Sequence, residues 1–393
     1  MARVVITGAG TVNPLGHDLA ATYAAMAKGR SAIGALQIAD LDRLQVKIGA
    51  QVTGWIGDFE RNDLVWMDPF AQYAVASARQ AMVQAGLGAV PEAGVILGSA
   101  GGGLQTVDDN YRAVYALAKN RVHPFTVPRL MASAAASLVA RDLGLQGPSY
   151  TVASACSSSN HAIGQAFSMV RAGMAPVMLA GGSDAMLCFG GLKAWEGLRV
   201  LSEVACRPFS KGRDGMVMGE GAAVFVLEDR DHALARGAPM LAEIAGFSMT
   251  SDAGDMVQPT VAGAVRAMET ALRDAAMSAA EVGYINAHGT GTQANDRCEA
   301  QAIATVFQQD VLVSSTKSLH GHLIGGAGAV ELLACLLALQ HGVIAPTAGY
   351  LAPDPDCPIN LVTQQKKTAA VTAVLSNSFA FGGLNAVLAL RQA

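Results

Sequence analysis

Short apolar runs, each closed by glycine-rich residues and followed by an alanine-rich helical pattern, recur along the whole chain and confine it to an α/β architecture. Residues 4–7, 95–97, 177–180 and 222–227 read as buried strands of a first half, with the stretch before Cys156 as a further one. Residues 240–248, 284–287, 311–314, 370–376 and 386–390 read as those of a second half. Helical patterns fall at 19–28, 68–86, 132–143, 228–236, 261–276, 299–307 and 327–340. The 68–86 helix is the best punctuated, with Pro69 in its first turn and Gly86 as its stop. The rhythm predicts two successive halves, residues 1–236 and 237–393, forming one compact, internally duplicated layered α/β unit. Parallel strands deliver chemistry at their C-terminal ends, which is where the polar and glycine-rich loops fall.

Charged residues make up only 15% of the chain and the formal net charge is −4, which excludes a nucleic-acid-binding stripe and a polybasic membrane patch. The six cysteines are scattered without a CxxC pair, which argues against a zinc ribbon or disulfide framework and predicts a reducing, cytoplasmic setting. The opening MARVVITGAG reads as a strand and a GAG turn, not as a secretion signal. Because Gly8-Ala9-Gly10 continues as Thr-Val-Asn, the third glycine of a dinucleotide fingerprint is missing. The apolar run 330–339 is too short to span a membrane and is interrupted by Glu331.

One segment, TVASACSSSNHAIGQAF (151–167), places a cysteine between a strand pattern and a buried helix. Ser157, Ser158, Ser159 and Asn160 are residue types that satisfy free N–H groups at a helix start, so Cys156 is expected at or just before that start. There the helix dipole favours thiolate over thiol, and free N–H groups could hold an oxyanion. The alternative is a small buried apolar side chain.

Three further stretches bear on this choice: Asn286-Ala-His-Gly-Thr-Gly-Thr292, Ser314-Ser-Thr-Lys-Ser-Leu-His-Gly-His322 and Asn377-Ser-Phe-Ala-Phe-Gly-Gly383. Taken singly, His288 reads as well as a scaffold histidine and Lys317 as a solvated charge. His320 and His322 lack a third metal ligand at recognisable spacing, so no metal is expected. Taken together, a thiol, two histidines in strand-end loops and a lysine make a nucleophile with groups that stabilise negative charge on a second substrate.

SACSSS around Cys156, NAHGTGT around His288, SSTKSLHGH around Lys317, GAGAVE around Glu331 and NSFAFGG near the C-terminus together resemble the β-ketoacyl-acyl-carrier-protein synthases, most closely the type II elongating enzymes. The likeness runs from the first strand to the last in one order. It implies the thiolase fold, a five-layer αβαβα arrangement, and a decarboxylative Claisen condensation in fatty-acid-type chain elongation. It further implies that Cys156 carries the acyl chain, that His288 and His322 flank the malonyl thioester, that Lys317 sets the electrostatics and that Glu331 tethers it. The backbone N–H groups of Cys156 and Phe381 would form the oxyanion hole. Thr290 and Thr292 would bind the pantetheine arm, Phe379 would contact substrate and Phe381 would gate entry. No cofactor of its own is implied, since acyl carrier protein supplies the phosphopantetheine arm. A homodimer is implied, with the region 132–138 and the nucleophile strand near the interface; a chain-length-factor-like subunit is the other expected partner.

Two positions depart from the elongating pattern. Leu384 stands where those enzymes usually have threonine, and Gly101, in GSAGGG, stands where many carry a bulky aliphatic residue lining the acyl pocket. Gly101 would admit a longer, bulkier or more rigid chain. SACSSSNHAIGQA, LAGGSDA and CRPFS also resemble nodulation-type and polyketide-type synthases, so a specialised polyene or polyketide product is the alternative, with a non-catalytic carrier-binding scaffold as another. Carrier proteins are acidic, which makes Arg61, Lys119, Arg121, Arg129, Arg207 and Lys211 candidate docking residues.

Overall fold

The computed structural model describes residues 2–307, 311–364, 366–367 and 371–393. The strands of the first half are β1 (Val4–Val12), β2 (Gly94–Gly98), β3 (Ser149–Val152), β4 (Val177–Asp184) and β5 (Gly221–Asp229). Those of the second are β6 (Ala242–Ser251), β7 (Tyr284–Asn286), β8 (Leu312–Ser314), β9 (Ala373–Ala380) and β10 (Leu384–Arg391). The first set pairs in the order β3-β2-β4-β5-β1 and the second in the order β8-β7-β9-β10-β6, the same topology written twice. An antiparallel contact of Val4–Ile6 with Ala242–Ile244 joins the two into one eleven-stranded sheet, whose remaining strand is Asn360–Leu361 beside β8.

The principal helices repeat in the same way: α1 (Pro69–Ala85), α2 (Ala134–Leu143), α3 (Ser158–Arg171), α4 (Val261–Asp274), α5 (Gln293–Val306) and α6 (Ala327–His341). Helices α1 and α2 share one apolar core with the first strands, α4 and α5 share another with the second, and α3 packs with α6 between them against strands of both halves. The layers therefore run αβαβα, as the resemblance implies. In α6 every residue from Ala327 to Leu339 is buried. The helical run Ile324–His341 is apolar and long enough to cross a membrane, yet 89% of it is buried inside the protein, where its apolar surface fills the space between the two halves of the sheet.

Some boundaries differ from those the sequence predicts, each for a local reason. The GAG residues form no turn: β1 continues through them to Val12 with a register shift between Ile6 and Gly8. Helix α1 crosses so closely that a Cβ on Gly8 or Gly10 would stand 2.1 Å from the carbonyl oxygen of Ala81 or Ser77. Helix α5 begins at Gln293, six residues before the expected Glu299, because Thr292 caps it by accepting the Asn295 N–H at 3.4 Å. Its first turns carry buried acids rather than an apolar stripe. Strand β9 extends through 377–380, expected as loop, while Ala370 lies outside the described residues.

Candidate active site

Cys156 follows β3 in a short 3₁₀ turn, Ala155–Ser157, that leads into α3. Ala155 has φ +50°, a left-handed conformation that costs a non-glycine residue energy and presents Cys156 at a sharp bend. The serines do not cap α3 as expected. Ser158 Oγ accepts the Ser154 N–H at 2.9 Å, Ser157 Oγ donates to the Ser154 carbonyl at 2.8 Å, and Ser159 donates to the Gly325 carbonyl. Asn160 donates to the Ser376 carbonyl at 3.1 Å. These residues stitch the cysteine turn to the second half.

The matching position of that second half, after β8, carries Lys317 and His322. Lys317 begins a single helical turn, Lys317–His320, and Gly321 at φ +71° reverses the chain into His322. The fully buried Lys317 Nζ donates to Glu331 of α6, to the His288 carbonyl at 2.6 Å and to His288 Nδ1 at 3.3 Å. His322 Nδ1 accepts the Ile324 N–H at 3.1 Å, so its proton resides on Nε2, which has no protein partner. His320 is turned away, toward Thr316 Oγ1 at 3.0 Å and the Gly321 carbonyl at 2.7 Å.

His288 lies just past the end of β7, and its loop is shaped by two buried acids of α5 that the sequence reading did not single out. Glu299 accepts the N–H groups of His288 and Gly289, each at 2.8 Å, and the Asn377 side chain at 3.2 Å. Asp296 accepts the Thr290 N–H at 3.0 Å and the Phe209 N–H at 2.8 Å. The signal available was a pair of acids at i and i+3 directly after a glycine-rich histidine loop.

The outcome is convergence: the Cys156 sulfur and one ring nitrogen each of His288 and His322 all lie within 4.8 Å of one another. The two imidazoles meet edge-on with centroids 5.4 Å apart, and Phe379 packs against His288 at 6.2 Å. They open into a cavity of about 120 Å³ lined also by Thr290, Thr292, Phe379 and Phe381. Phe381 stacks on Trp195 at 6.0 Å, a second aromatic wall that sequence reasoning missed.

Burial dominates the electrostatics. It pushes the Cys156 thiol up to about 12, only partly offset by the Lys317 charge, so the resting group is a thiol rather than the thiolate predicted from the helix dipole. The dipole argument assumed a solvated helix start, whereas α3 begins buried between the two halves of the sheet. Burial, then the Lys317 charge, holds both His288 and His322 well below the ordinary histidine value, so both are neutral near pH 7. Glu331 is raised by burial and drawn back by Lys317.

Gly101 does not line this cavity. Its N–H is bound at 3.0 Å by the buried carboxylate of Asp184, which also accepts Ser99 Oγ and the N–H groups of Ala100 and Gly325. The space a Gly101 side chain would take is filled by Met186. Among the basic candidates, the Arg207 backbone lies beside Gly291 of the His288 loop, and Arg129 Nε donates to Thr106 at 3.3 Å. Arg61, Lys119, Arg121 and Lys211 are exposed and lie outside the cavity lining.

Comparison with known proteins agrees with this geometry. Residues 1–233 match the family described as "Beta-ketoacyl synthase, N-terminal domain" and residues 241–351 its "C-terminal domain". Nodulation protein E of Rhizobium sp. (strain N33) is 47% identical, covering 99% of both chains. The 3-oxoacyl-[acyl-carrier-protein] synthase 2 of Staphylococcus aureus (strain COL) is 37% identical, covering 99% of this chain and 98% of its own. The solved ishigamide ketosynthase/chain length factor superposes with a TM-score of 0.95 at 33% identity, covering 100% of this chain and 99% of that one.

Proposed function

We propose that this chain, which belongs to the β-ketoacyl synthase family, joins an acyl group held on Cys156 to a malonyl unit delivered by acyl carrier protein, releasing carbon dioxide and a β-ketoacyl carrier protein. The observation that carries this reading is the meeting of one buried thiol with two neutral imidazoles at the floor of a largely apolar cavity.

The reaction has two halves. In the first, the Cys156 sulfur bonds to the acyl carbonyl carbon, the bond to the pantetheine sulfur breaks, and the thiol proton ends on the departing pantetheine. The backbone N–H groups of Cys156 and Phe381 receive the transient oxyanion. Exchange of thioester for thioester is nearly isoenergetic, and the apolar cavity keeps water from the adduct.

In the second half the malonyl thioester oxygen takes hydrogen bonds from His288 and His322. His322 is fixed as an Nε2–H donor by its own backbone contact, and the Lys317 ammonium on Nδ1 fixes His288 the same way. The bond to the malonyl carboxylate breaks, carbon dioxide leaves, and its electron pair forms the enolate these protons stabilise. The enolate carbon attacks the acyl carbonyl, the Cys156–acyl bond breaks, and the thiolate takes a proton from solvent. Glu331 holds Lys317, Thr290 and Thr292 bind the pantetheine arm, and Phe381 with Trp195 forms the gate. The neutral imidazoles donate without drawing the malonyl carboxylate into a salt bridge that would resist decarboxylation.

The acyl adduct on Cys156 is the direct test. Incubation with acyl carrier protein adds the acyl mass to Cys156, and Cys156→Ala abolishes both adduct and condensation; a Cys156→Ala protein that still condenses overturns the assignment. A protein that binds carrier protein but never acquires the adduct is the non-catalytic scaffold instead.

The partner assignments belong to the same reading. Strand β3 ends the sheet with a free outer edge, and Tyr111, Tyr115, Leu117, Val127 and Met131 are exposed apolar residues on segments of the same half. A second copy, or a chain-length-factor-like subunit, pairs there. Likeness to a 3-oxoacyl-[acyl-carrier-protein] synthase 2 supports fatty-acid-type chain elongation, and likeness to Nodulation protein E and to the ishigamide ketosynthase/chain length factor fits a specialised product as the second reading.

A further inference from the structure

Asn295 lines the cavity shared by Cys156, His288 and His322, and no step of the condensation uses it. It is the third residue of α5, a position from which a side chain reaches back over the helix start. There its Nδ2 donates to Asp296 Oδ1 at 3.1 Å and to Glu299 Oε2 at 3.5 Å. Both protons of the amide nitrogen are thereby committed to carboxylates, and turning the group over would set its oxygen against them. The oxygen, Oδ1, accepts nothing from the described residues and is not enclosed by them, so it is presented to the cavity.

Thr290 and Thr292 stand beside it on the same wall. Their hydroxyls bond one another at 2.8 Å, while Thr290 Oγ1 accepts the Thr292 N–H at 3.3 Å and Thr292 Oγ1 accepts the Asn295 N–H at 3.4 Å. Of the two hydroxyl protons one lies between the threonines, and the other remains to be donated outward. The backbone beneath them is fixed, because Asp296 accepts the N–H groups of Thr290 at 3.0 Å and Gly291 at 3.2 Å. The wall therefore offers one free O–H donor and one free carbonyl acceptor side by side. That pairing complements an amide, which carries one C=O and one N–H. The acyl and malonyl thioesters have no N–H to give, whereas the pantetheine arm contains two amides.

We propose that Asn295 is a substrate-binding residue whose Oδ1 accepts an amide N–H of the pantetheine arm, completing with the threonine hydroxyls a donor–acceptor clamp on that arm. The inference rests on Cys156 as a thiol loaded from pantetheine thioesters and adds the group that reads the arm's N–H. Because Asp296 and Glu299 hold the Asn295 side chain in place before substrate arrives, the acceptor is already oriented and little rotamer freedom is lost on binding. The clamp serves both halves of the reaction, since acyl and malonyl groups arrive on the same arm.

The test loads the full-length protein from acyl-pantetheine and from two analogues in which one or the other amide nitrogen is replaced by an ester oxygen, with the Cys156 adduct followed by mass spectrometry. Wild type loads one of the two esters less efficiently than the amide, by about five- to tenfold, the worth of one neutral hydrogen bond. Asn295→Ala loads the amide compound less efficiently by a similar factor, chiefly through the Michaelis constant, and no longer distinguishes it from that ester, because both changes remove the same bond. Thiomethylation of Cys156 by methyl methanethiosulfonate, a reagent without an arm, keeps its wild-type rate in Asn295→Ala, which separates lost binding from a disturbed His288 loop. Asn295→Leu, of similar shape but with no acceptor, takes its place should Asn295→Ala fail to fold. Equal loading of the amide and both esters by wild type overturns the assignment. So do losses that multiply when the variant meets each ester, or thiomethylation that falls as far as loading does. If wild type acquires no adduct from acyl-pantetheine or from acyl carrier protein, the acyl-thiol reading falls and the clamp with it; normal loading that is indifferent to the amides overturns the clamp alone.

Discussion

Replacing Lys317 with methionine isolates the buried ion pair on which the histidine geometry depends. Lys317 and Glu331 are both fully buried, and Glu331 Oε2 has no hydrogen-bond partner beyond the pair. With the ammonium gone, Glu331 has lost the one charge that draws its pKa down, and burial drives it to the neutral acid. The unfolded chain keeps an ordinary carboxyl near 4.5. Folding near pH 7 must then take up a proton, which costs about 1.4 kcal/mol for each pH unit above that value, or roughly 3 kcal/mol in all.

The sign follows from proton counting. The folded variant binds one proton more than the unfolded chain, so its stability falls as pH rises above 4.5 and levels off below it. Urea unfolding of wild type and Lys317→Met between about pH 5 and 7.5 therefore shows a gap that widens by about 1.4 kcal/mol per unit. Lys317→Met with Glu331→Leu removes the titrating group, flattens the dependence and recovers most of the loss, since a buried pair exchanged for apolar residues is often close to neutral. Condensation stays absent in both variants, because nothing then holds the His288 carbonyl and Nδ1. A gap independent of pH, or a double variant less stable than Lys317→Met, would refute the coupling.

Other outcomes follow from the same site. Because burial and Lys317 hold His288 and His322 below the ordinary histidine value, condensation rates persist as pH falls through 6.5, while stability declines below that pH as the unfolded histidines gain protons the folded ones refuse; an acid limb centred at or above 6.5 contradicts this. Glu299→Gln weakens acceptance of the His288 and Gly289 N–H groups, and should lower malonyl decarboxylation by about tenfold, for roughly 1–2 kcal/mol of lost positioning, with acyl loading of Cys156 unchanged. Trp195→Ala removes the surface on which Phe381 rests and should raise the Michaelis constant for malonyl carrier protein more than it lowers turnover, read from steady-state kinetics. Thr151→Pro on the free edge of β3 removes an edge N–H and should shift the protein toward monomer in light scattering.

The site residues were legible because each arrives in a contiguous strand-end loop whose residue types announce chemistry. What supports them was not, since support comes from side chains facing inward on elements read for apolar periodicity. Asp296 and Glu299 turn a polar face toward the His288 loop, so the pattern that located α5 began only at the second of them, and its true start at Gln293 was lost. Gly8 and Gly10 look like turn residues in one dimension; only the crossing of α1 shows them to be strand residues. The thiolate expectation failed for a related reason. A sequence reveals that a cysteine precedes a helix but not that the helix lies in the central layer, where loss of solvent outweighs the dipole.

The duplicated topology explains how these loops come to face one another. The third strand of each half leads into a central helix, and those two junctions carry Cys156 on one side and Lys317 with His322 on the other. The second strands end at the Ser99–Gly101 loop and at His288, the fourth at Asp184 and at Phe379. Equivalent positions thus carry complementary groups: the first half holds the Cys156 thiol and the Asp184 carboxylate, the second the imidazoles of His288 and His322 with Lys317 and Phe379. The Gly325 N–H on Asp184 and the Ser159 hydroxyl on the Gly325 carbonyl cross between halves beside His322. A shift of one half against the other would move the sulfur relative to both imidazoles at once, so the central packing of α3 on α6 sets the catalytic distances as well as the stability of the fold.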